Sequence, residues 1–356
     1  MNKIETELTQ LVETQKAPSV QYAWFDKDEV RQRYTYGLAN VKDQVLADAK
    51  TTYHVFSTTK TFTAVAVLQL VEAGKVDINA PAQRYLPDFP YQGEITIKHL
   101  LNHTAGIPNP VPLSWIHLES AHAAFNRNDF FKPIMAKHHA VKAKPNEKFA
   151  YSNLGYILLG QLIEQVSGMS YEQYIEEHIL RRIGLGPEQL GFTIYDHVRN
   201  ATGYHKKSSF SSLILGLFLD KSKYMGEPEG SWRPFRDYYV NGAPYGGLIG
   251  TADAYVRYVQ ELLKPDGALL SPEYKRLLFV ENHTANGKPT GMCLSWYTGV
   301  MDGHRYYTHA GGGGGYYCEI RIYPERGVGS VVMFNRTGMT DERYLDKPDR
   351  FVIGDQ

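Results

Sequence analysis

Residues 59–73 carry apolar side chains on nearly every side, among them Phe62, Ala64, Val65, Ala66, Val67, Leu68, Leu70 and Val71, and the run stops at Gly74. A helix of this kind is stable only when enclosed on all faces, and the glycine supplies its C-terminal stop. The chain must therefore build layers around one central helix. Its 356 residues supply ample material for such a core, as two domains or as one large composite unit.

Candidate layers appear at the two ends. Val20-Gln-Tyr-Ala-Trp-Phe25 and Arg33-Tyr-Thr-Tyr36 are rich in aromatic and β-branched residues and flank the polar Asp26-Lys-Asp-Glu29, which predicts a hairpin. Residues 294–300, 304–309, 316–323 and 329–334 are short β-type runs broken by Asp302-Gly303, the glycines 311–315 and Pro324-Glu-Arg-Gly327, which predicts an antiparallel meander. Ile4, Leu8, Leu11 and Val12 share one face of an N-terminal helix. In the middle the periodicity is helical. Amphipathic helices are expected over residues 154–166 and 171–183, split by Ser167-Gly168, and over 252–263 behind Thr251 as N-cap. The expected fold class is α/β of the α+β kind: an antiparallel sheet built from both termini, flanked by helices, with a helical insertion domain. Residues 1–75 and 245–356 would form the discontinuous sheet domain, and 76–244 the insertion.

Charge and cysteine content narrow the function. Lys plus Arg number 38 and Asp plus Glu 38, so the formal net charge is zero, and no long basic block offers a footprint for nucleic acid or an anionic membrane. Cys293 and Cys318 are too few for a disulfide framework and lack Cys-x-x-Cys spacing, which argues against a thiol-rich metal or redox site. The N-terminus shows neither an apolar leader nor a small-residue cleavage site, so a cytoplasmic protein is expected. No apolar run approaches the roughly 20 residues that span a bilayer. Residues 213–219, Leu-Ile-Leu-Gly-Leu-Phe-Leu, read as a buried helix or lid element.

Gly-x-Ser-x-Gly does not occur, so a nucleophile elbow has no anchor. Ser57-Thr58-Thr59-Lys60 instead opens the central helix. Residues i and i+3 share a helix face, which places an ammonium beside a hydroxyl, while the helix N-terminus favours a developing alkoxide. A lysine at the start of an apolar helix would also be costly if it were unpaired. Tyr151-Ser152-Asn153 supplies a second piece: a phenol whose ionised form a neighbouring lysine would stabilise can take the serine proton and pass it to a leaving group. Tyr239-Val240-Asn241 has the same spacing and competes for the role. The third piece is His309-Ala310-Gly311, which runs into Gly312 to Gly315, where bare strand backbone can meet a substrate and offer a main-chain N–H to an oxyanion.

In this order, Ser57-x-x-Lys60, Tyr151-x-Asn153 and His309-x-Gly311 resemble the serine β-lactamase and penicillin-binding-protein superfamily, in its class C-like branch with family VIII carboxylesterases and D-amino-acid peptidases. Supporting phrases are Leu100-Leu-Asn-His-Thr-Ala-Gly-Ile107, Phe149-Ala-Tyr-Ser-Asn-Leu-Gly-Tyr156 and Gly246-Gly-Leu-Ile-Gly-Thr-Ala-Asp253. The resemblance implies that Tyr151 rather than Tyr239 is the family tyrosine. It also implies that Ser57 is acylated, Lys60 tunes the proton transfers and Tyr151 serves as base and then acid. Asn153 would bind substrate, the N–H groups of Ser57 and Gly312 would form the oxyanion hole, and no metal or organic cofactor would be needed.

Two departures bear on substrate. Lactam-recognising members usually carry Lys-Thr-Gly or Lys-Ser-Gly where this chain has His309, and a neutral imidazole still donates a hydrogen bond but demands less of a substrate anion. The C-terminal segment 341–356 is short and interrupted by Pro348, where the family usually has a long helix. Residues 108–142, with Trp115, His117, His122, Phe125, Phe130, Phe131, His138 and His139, match no family phrase and are expected to form a lid or pocket wall. His99 and His103, four apart, could face one metal ion, a weaker reading because no glutamate follows His99. The expected function is a serine hydrolase acting on a small ester or amide, most simply a carboxylesterase. A β-lactamase or D-amino-acid peptidase of the same fold, and a non-catalytic binding member, are the competing readings.

Overall fold

The two β-rich ends meet in one sheet. A computed structural model describes residues 1–207, 215–216, 218–337 and 343–354. Strands β1 (Ser19–Asp26), β2 (Val30–Asn40) and β3 (Val45–Leu46) come from the N-terminal end, and β4 (Tyr297–Met301), β5 (His304–Gly313), β6 (Tyr316–Tyr323) and β7 (Val328–Phe334) from the C-terminal end. Their order is β4-β5-β6-β7-β1-β2-β3, and every pairing is antiparallel. The join between the ends is the β1–β7 pair, with Tyr22 opposite Val332.

Strands β6 and β7 are buried along their whole length because helices cover both faces of the sheet. Alternation sorts the side chains. Cys318, Ile320, Ile322, Val331 and Met333 face a large core that contains helix α2 (Thr59–Glu72). Tyr317, Tyr323, Val332 and Phe334 face helix α1 (Lys3–Glu13) and the C-terminal helix α9 (Asp346–Ile353). Between α1 and α9 in chain order lie α3 (Ile97–Leu101), α4 (Arg127–Lys137), α5 (Asn153–Ser167), α6 (Tyr171–Ile175), α7 (Ala243–Gly246) and α8 (Ala252–Leu263). Helix α2 is enclosed as its sequence demands, with every residue from Thr59 to Leu68 buried, and Gly74 follows it at φ +69°. No helix among the described residues is long and apolar enough to cross a membrane.

The structure corrects several local expectations. The predicted strand 294–300 begins only at Tyr297, because Ser295 takes φ +70° and the Cys293 N–H closes a turn on the Trp296 carbonyl at 2.7 Å. The expected glycine break comes later, since β5 runs on through Gly313. The helix expected over 171–183 divides into α6, a π-helical turn (Glu176–Leu180) and a 3-10 turn (Arg181–Ile183). Helix α5 is buried on all sides from Asn153 to Gly160 rather than amphipathic there. The C-terminal segment forms a short helix despite Pro348, which falls in its first turn, where no N–H is required. In the apolar run 213–219, Leu215 and Leu219 are buried and Phe218 is exposed, while Leu213, Ile214 and Leu217 lie outside the described residues.

Candidate active site

Ser57 stands on a 3-10 turn, Phe56–Thr58, that feeds directly into α2. Phe56 holds φ +48°, a left-handed conformation that costs a bulky residue about 1–2 kcal/mol. Bonds on either side of the turn hold it: the Val55 N–H donates to the Leu248 carbonyl at 3.1 Å, and the Thr58 hydroxyl to the Val55 carbonyl at 2.9 Å. Strand β5 closes over this turn. A Cβ on Gly311 would stand 2.2 Å from the Val55 carbonyl oxygen and 2.6 Å from the Ser57 nitrogen, so only glycine allows the approach.

Lys60, one helical turn on, is fully buried. Its Nζ donates to Ser57 Oγ at 3.1 Å and to the Tyr245 carbonyl at 2.8 Å. The rings of Tyr151, Tyr245 and Tyr156 surround it at 4.9, 5.1 and 5.5 Å. Among the described residues no carboxylate forms an ion pair with it, and burial pushes its pKa well below the lysine range. Tyr151 Oη donates to Ser57 Oγ from the other side at 2.9 Å. Burial drives its pKa well above that of an ordinary phenol, opposed by the Ser57 hydrogen bond. Desolvation opposes the expected lysine-stabilised phenolate, because it favours the neutral form of both groups.

His103 positions Tyr151. It takes φ +57° just beyond α3, its ring stacks on the phenol at 4.3 Å, its carbonyl accepts the Ala150 N–H at 2.7 Å, and its Nδ1 accepts the Ser152 N–H at 3.1 Å. That last bond leaves the ring proton on Nε2, and burial, aided by Lys60 and His309, pushes its pKa well below the histidine range. Ser152 caps α5 through the Gly155 N–H, so Asn153 becomes the first residue of that helix. The Asn153 N–H is held by Asn109 Oδ1 at 3.0 Å, while its own Oδ1 is buried without a hydrogen-bond partner.

His309 lies on the face of β5 toward α2 and is fully buried. Burial and the nearby Lys60 push its pKa down to about 3, against the opposing hydrogen bond to the Ser295 carbonyl, so the imidazole is neutral. Its Nδ1–H is given to that carbonyl. The N–H expected for a substrate is thus already engaged, and Nε2 remains as an acceptor without a partner. Pairing of β4 with β5 stops at Tyr297 opposite Thr308. From His309 to Gly313, Gly312 included, the outer edge of β5 has no partner strand among the described residues. A cleft of about 440 Å³ runs along this stretch, bordered by Tyr151, Tyr297, His309, Gly311, Gly312 and Arg343.

The structure thus brings Ser57, Lys60 and Tyr151 into direct contact and places His309, Gly311 and Gly312 along the adjoining cleft. The competing Tyr239 is occupied elsewhere, donating to Glu119 Oε1 at 3.1 Å and accepting the Ile194 N–H at 3.2 Å. His99 and His103 do not share a helix face, since α3 ends at Leu101 and His99 serves in its N-terminal capping box. The only metal-capable group among the described residues is Glu119, His197 and Asp237, outside the Ser57 cluster. In the expected lid, residues Ile116–Leu118 pair with Tyr238–Val240, and Trp115 and Phe131 pack against the Tyr245 ring beside Lys60. His117 bonds Asn241 Oδ1 at 2.7 Å. Sequence reasoning missed the Tyr245 carbonyl, the Asn109 amide and Arg343.

A protein-family model described as Beta-lactamase matches residues 4–354. The chain is 28% identical over 341 residues to penicillin-binding protein 4* of Bacillus subtilis (strain 168), covering 92% of this chain and 70% of that one. It is 36% identical over 204 residues to protein flp of Staphylococcus aureus (strain MW2), covering 53% of this chain but only 39% of that relative. The octameric penicillin-binding protein homologue from Pyrococcus abyssi superimposes with a TM-score of 0.78 at 25% identity, covering 99% of this chain and 77% of that one. Because the family match spans nearly its whole length, the chain belongs to the Beta-lactamase family, within the serine β-lactamase and penicillin-binding-protein superfamily of hydrolases.

Proposed function

We propose that the protein is a carboxylesterase that works through an acyl-Ser57 intermediate. The observation that carries this reading is the placement of Ser57 Oγ within hydrogen-bond reach of both Lys60 Nζ and Tyr151 Oη, at 3.1 and 2.9 Å. Lys60, whose protonated form burial disfavours, accepts the Ser57 proton as Oγ attacks the ester carbonyl. The N–H groups of Ser57 and Gly312 hold the oxyanion, and the Asn153 side chain orients the acyl portion. Tyr151 gives its proton to the departing alkoxide and is reprotonated from Lys60, leaving the acyl-enzyme and a neutral lysine. Water then repeats the sequence in reverse roles and frees the acid.

The neutral His309 supports esters over penicillins, because the motif position that usually holds a lysine has no permanent charge. Amide hydrolysis is the second reading. The unpaired edge of β5 favours it, since its main-chain groups can pair with an extended peptide-like substrate. On either reading the site draws Ser57 and Gly312 from the sheet portion, 1–75 and 245–356, and Tyr151 and Asn153 from the helical portion, 76–244. The test is hydrolysis of a short-chain p-nitrophenyl ester beside labelling by a fluorophosphonate probe. Both should vanish in Ser57→Ala, and equal rates and labelling in that variant would overturn the mechanism. Faster turnover of D-alanyl amides or nitrocefin than of the ester would replace the esterase reading.

A further inference from the structure

We propose that a second pocket, distinct from the cleft at Ser57, binds an amphipathic ammonium: a protonated amine carried on an aromatic or aliphatic body. The pocket, of about 690 Å³, lies between the C-terminal end of α1, strands β2 and β3, and the turn 229–232. It shares no lining residue with the Ser57 cleft. A volume of this size suits a small organic molecule rather than a bare ion. Val12, Leu38, Val41, Leu46, Ala47 and Trp232 supply apolar walls, and Leu46 is 73% exposed on the edge strand of the sheet. Apolar surface left open to water in this way gains from a hydrophobic body laid on it.

The charge at the pocket is negative. Glu13 and Glu229 are its charged lining residues, and among the described residues neither forms an ion pair. A phenol holds each instead: Tyr36 Oη donates to Glu13 Oε1 at 3.3 Å, and the buried Tyr204 Oη to Glu229 Oε2 at 2.9 Å. Tyr204 Oη also accepts the Val41 N–H at 2.8 Å, and two main-chain bonds between Glu229 and Trp232, at 2.8 and 3.0 Å, close the turn. Glu229 is thereby fixed beside an apolar wall. The second oxygen of each carboxylate has no hydrogen-bond partner among the described residues. Glu13 ends α1, whose last turn has no basic residue, so the negative end of the helix dipole adds to its charge. Arg336 passes the Trp232 ring at 5.8 Å but does not line the pocket, and its guanidinium donates to the Lys16 and Thr337 carbonyls. Carboxylates on an apolar wall pair with an ammonium, and the faces of Trp232 and Tyr36 attract the same charge.

The test is isothermal titration calorimetry of the full chain at pH 7 with 4-phenylbutylamine, protonated at this pH, beside 4-phenylbutanol and 4-phenylbutyrate. The amine should bind about tenfold or more tightly than the alcohol, and the carboxylate most weakly. Glu13→Gln and Glu229→Gln each keep an acceptor for their tyrosine, and each should weaken the amine about threefold or more while leaving the alcohol unchanged. Glu227→Gln removes an exposed charge outside the pocket and should leave all three affinities as in wild type, which separates a local contact from overall charge. Ala47→Phe fills the pocket and should abolish binding of all three while ester turnover at Ser57 continues. An amine that binds no more tightly than the alcohol overturns the proposal, as does a preference that survives in the Glu13→Gln, Glu229→Gln double variant. Amine affinity that falls as protein concentration rises, with a dimer in sedimentation velocity, also overturns it and makes a second copy of the chain the occupant.

Discussion

Tyr151 Oη donates to Ser57 Oγ at 2.9 Å although the two residues are 94 positions apart in the chain. The contact depends on three supports that share no sequence neighbourhood. The Phe56 turn holds Ser57, His103 braces the Tyr151 ring, and the Tyr245 carbonyl anchors the lysine between them. Both partners are half-buried, so the proton that moves during catalysis has few competing acceptors.

Replacing Tyr151 by Phe removes the proton donor to the leaving group while keeping the ring on His103. The expected loss in kcat is about 10²–10⁴-fold, the range typical of general acid–base groups. Tyr239→Phe, at the competing position, should stay within about twofold of wild type, since its hydroxyl serves Glu119 and Ile194. Steady-state rates on a p-nitrophenyl ester decide between them, and a reversed ranking would return Tyr239 to the site.

Lys60 separates activity from stability. Burial lowers its pKa, so the unfolded chain binds the proton more readily than the folded one at neutral pH. The residue therefore costs stability below the unfolded lysine pKa of about 10.4, and the cost disappears as the pH rises through that value. Lys60→Met should unfold at a higher temperature than wild type at pH 7, by a margin that closes toward pH 10, while losing at least about 10²-fold in kcat. Lys60→Arg, which cannot deprotonate in this range, should be as inactive. Thermal melts across pH, read beside ester turnover, test both halves.

What could be read in advance follows physical range. Ser57 and Lys60 are neighbours by helical spacing alone, and the enclosed α2 follows from the absence of any polar face. The two-ended sheet was readable because aromatic and β-branched runs separate cleanly from the helical middle. The Tyr245 carbonyl was not readable, because a main-chain acceptor leaves no mark in a sequence. Neither was the engagement of the His309 N–H, which depends on the left-handed Ser295 turn, nor the presence of Arg343 in the cleft, which depends on how α9 docks on buried Arg321. The break of the 171–183 helix into π and 3-10 turns likewise has no composition signal, since Glu176 to Ile183 contains neither Gly nor Pro.

Adjacent glycines of β5 should respond differently to alanine. At Gly311 the new Cβ meets main-chain atoms of Val55 and Ser57 at 2.2 and 2.6 Å, which cannot yield without moving the serine turn. Gly311→Ala should cost about 1–3 kcal/mol of stability and most of the activity. At Gly312 the nearest atoms stand 3.6 Å away, so Gly312→Ala should melt as wild type does. Differential scanning calorimetry of the two variants is sufficient, and equal melting temperatures would contradict the packing of β5 on the turn.

The Arg321 cluster gives the protein a pH-dependent weakness on the α9 side of the sheet. Asp349 accepts hydrogen bonds from Tyr323 at 2.9 Å and Ser330 at 3.0 Å, yet burial raises its pKa to about 7 against the pull of Arg321. Glu319 in the same cluster is raised for the same reason. A carboxyl raised on folding contributes stability that is complete below its unfolded pKa of about 3.9 and is lost as the pH climbs through the folded value. Wild type should therefore lose part of its stability between about pH 4 and pH 7 from this residue. Asp349→Asn keeps an acceptor for Tyr323 and Ser330 but cannot ionise, so its melting temperature should gain on wild type between about pH 4 and pH 7. Curves that stay parallel over that interval would mean that Asp349 is ionised throughout, with Arg321 outweighing its burial.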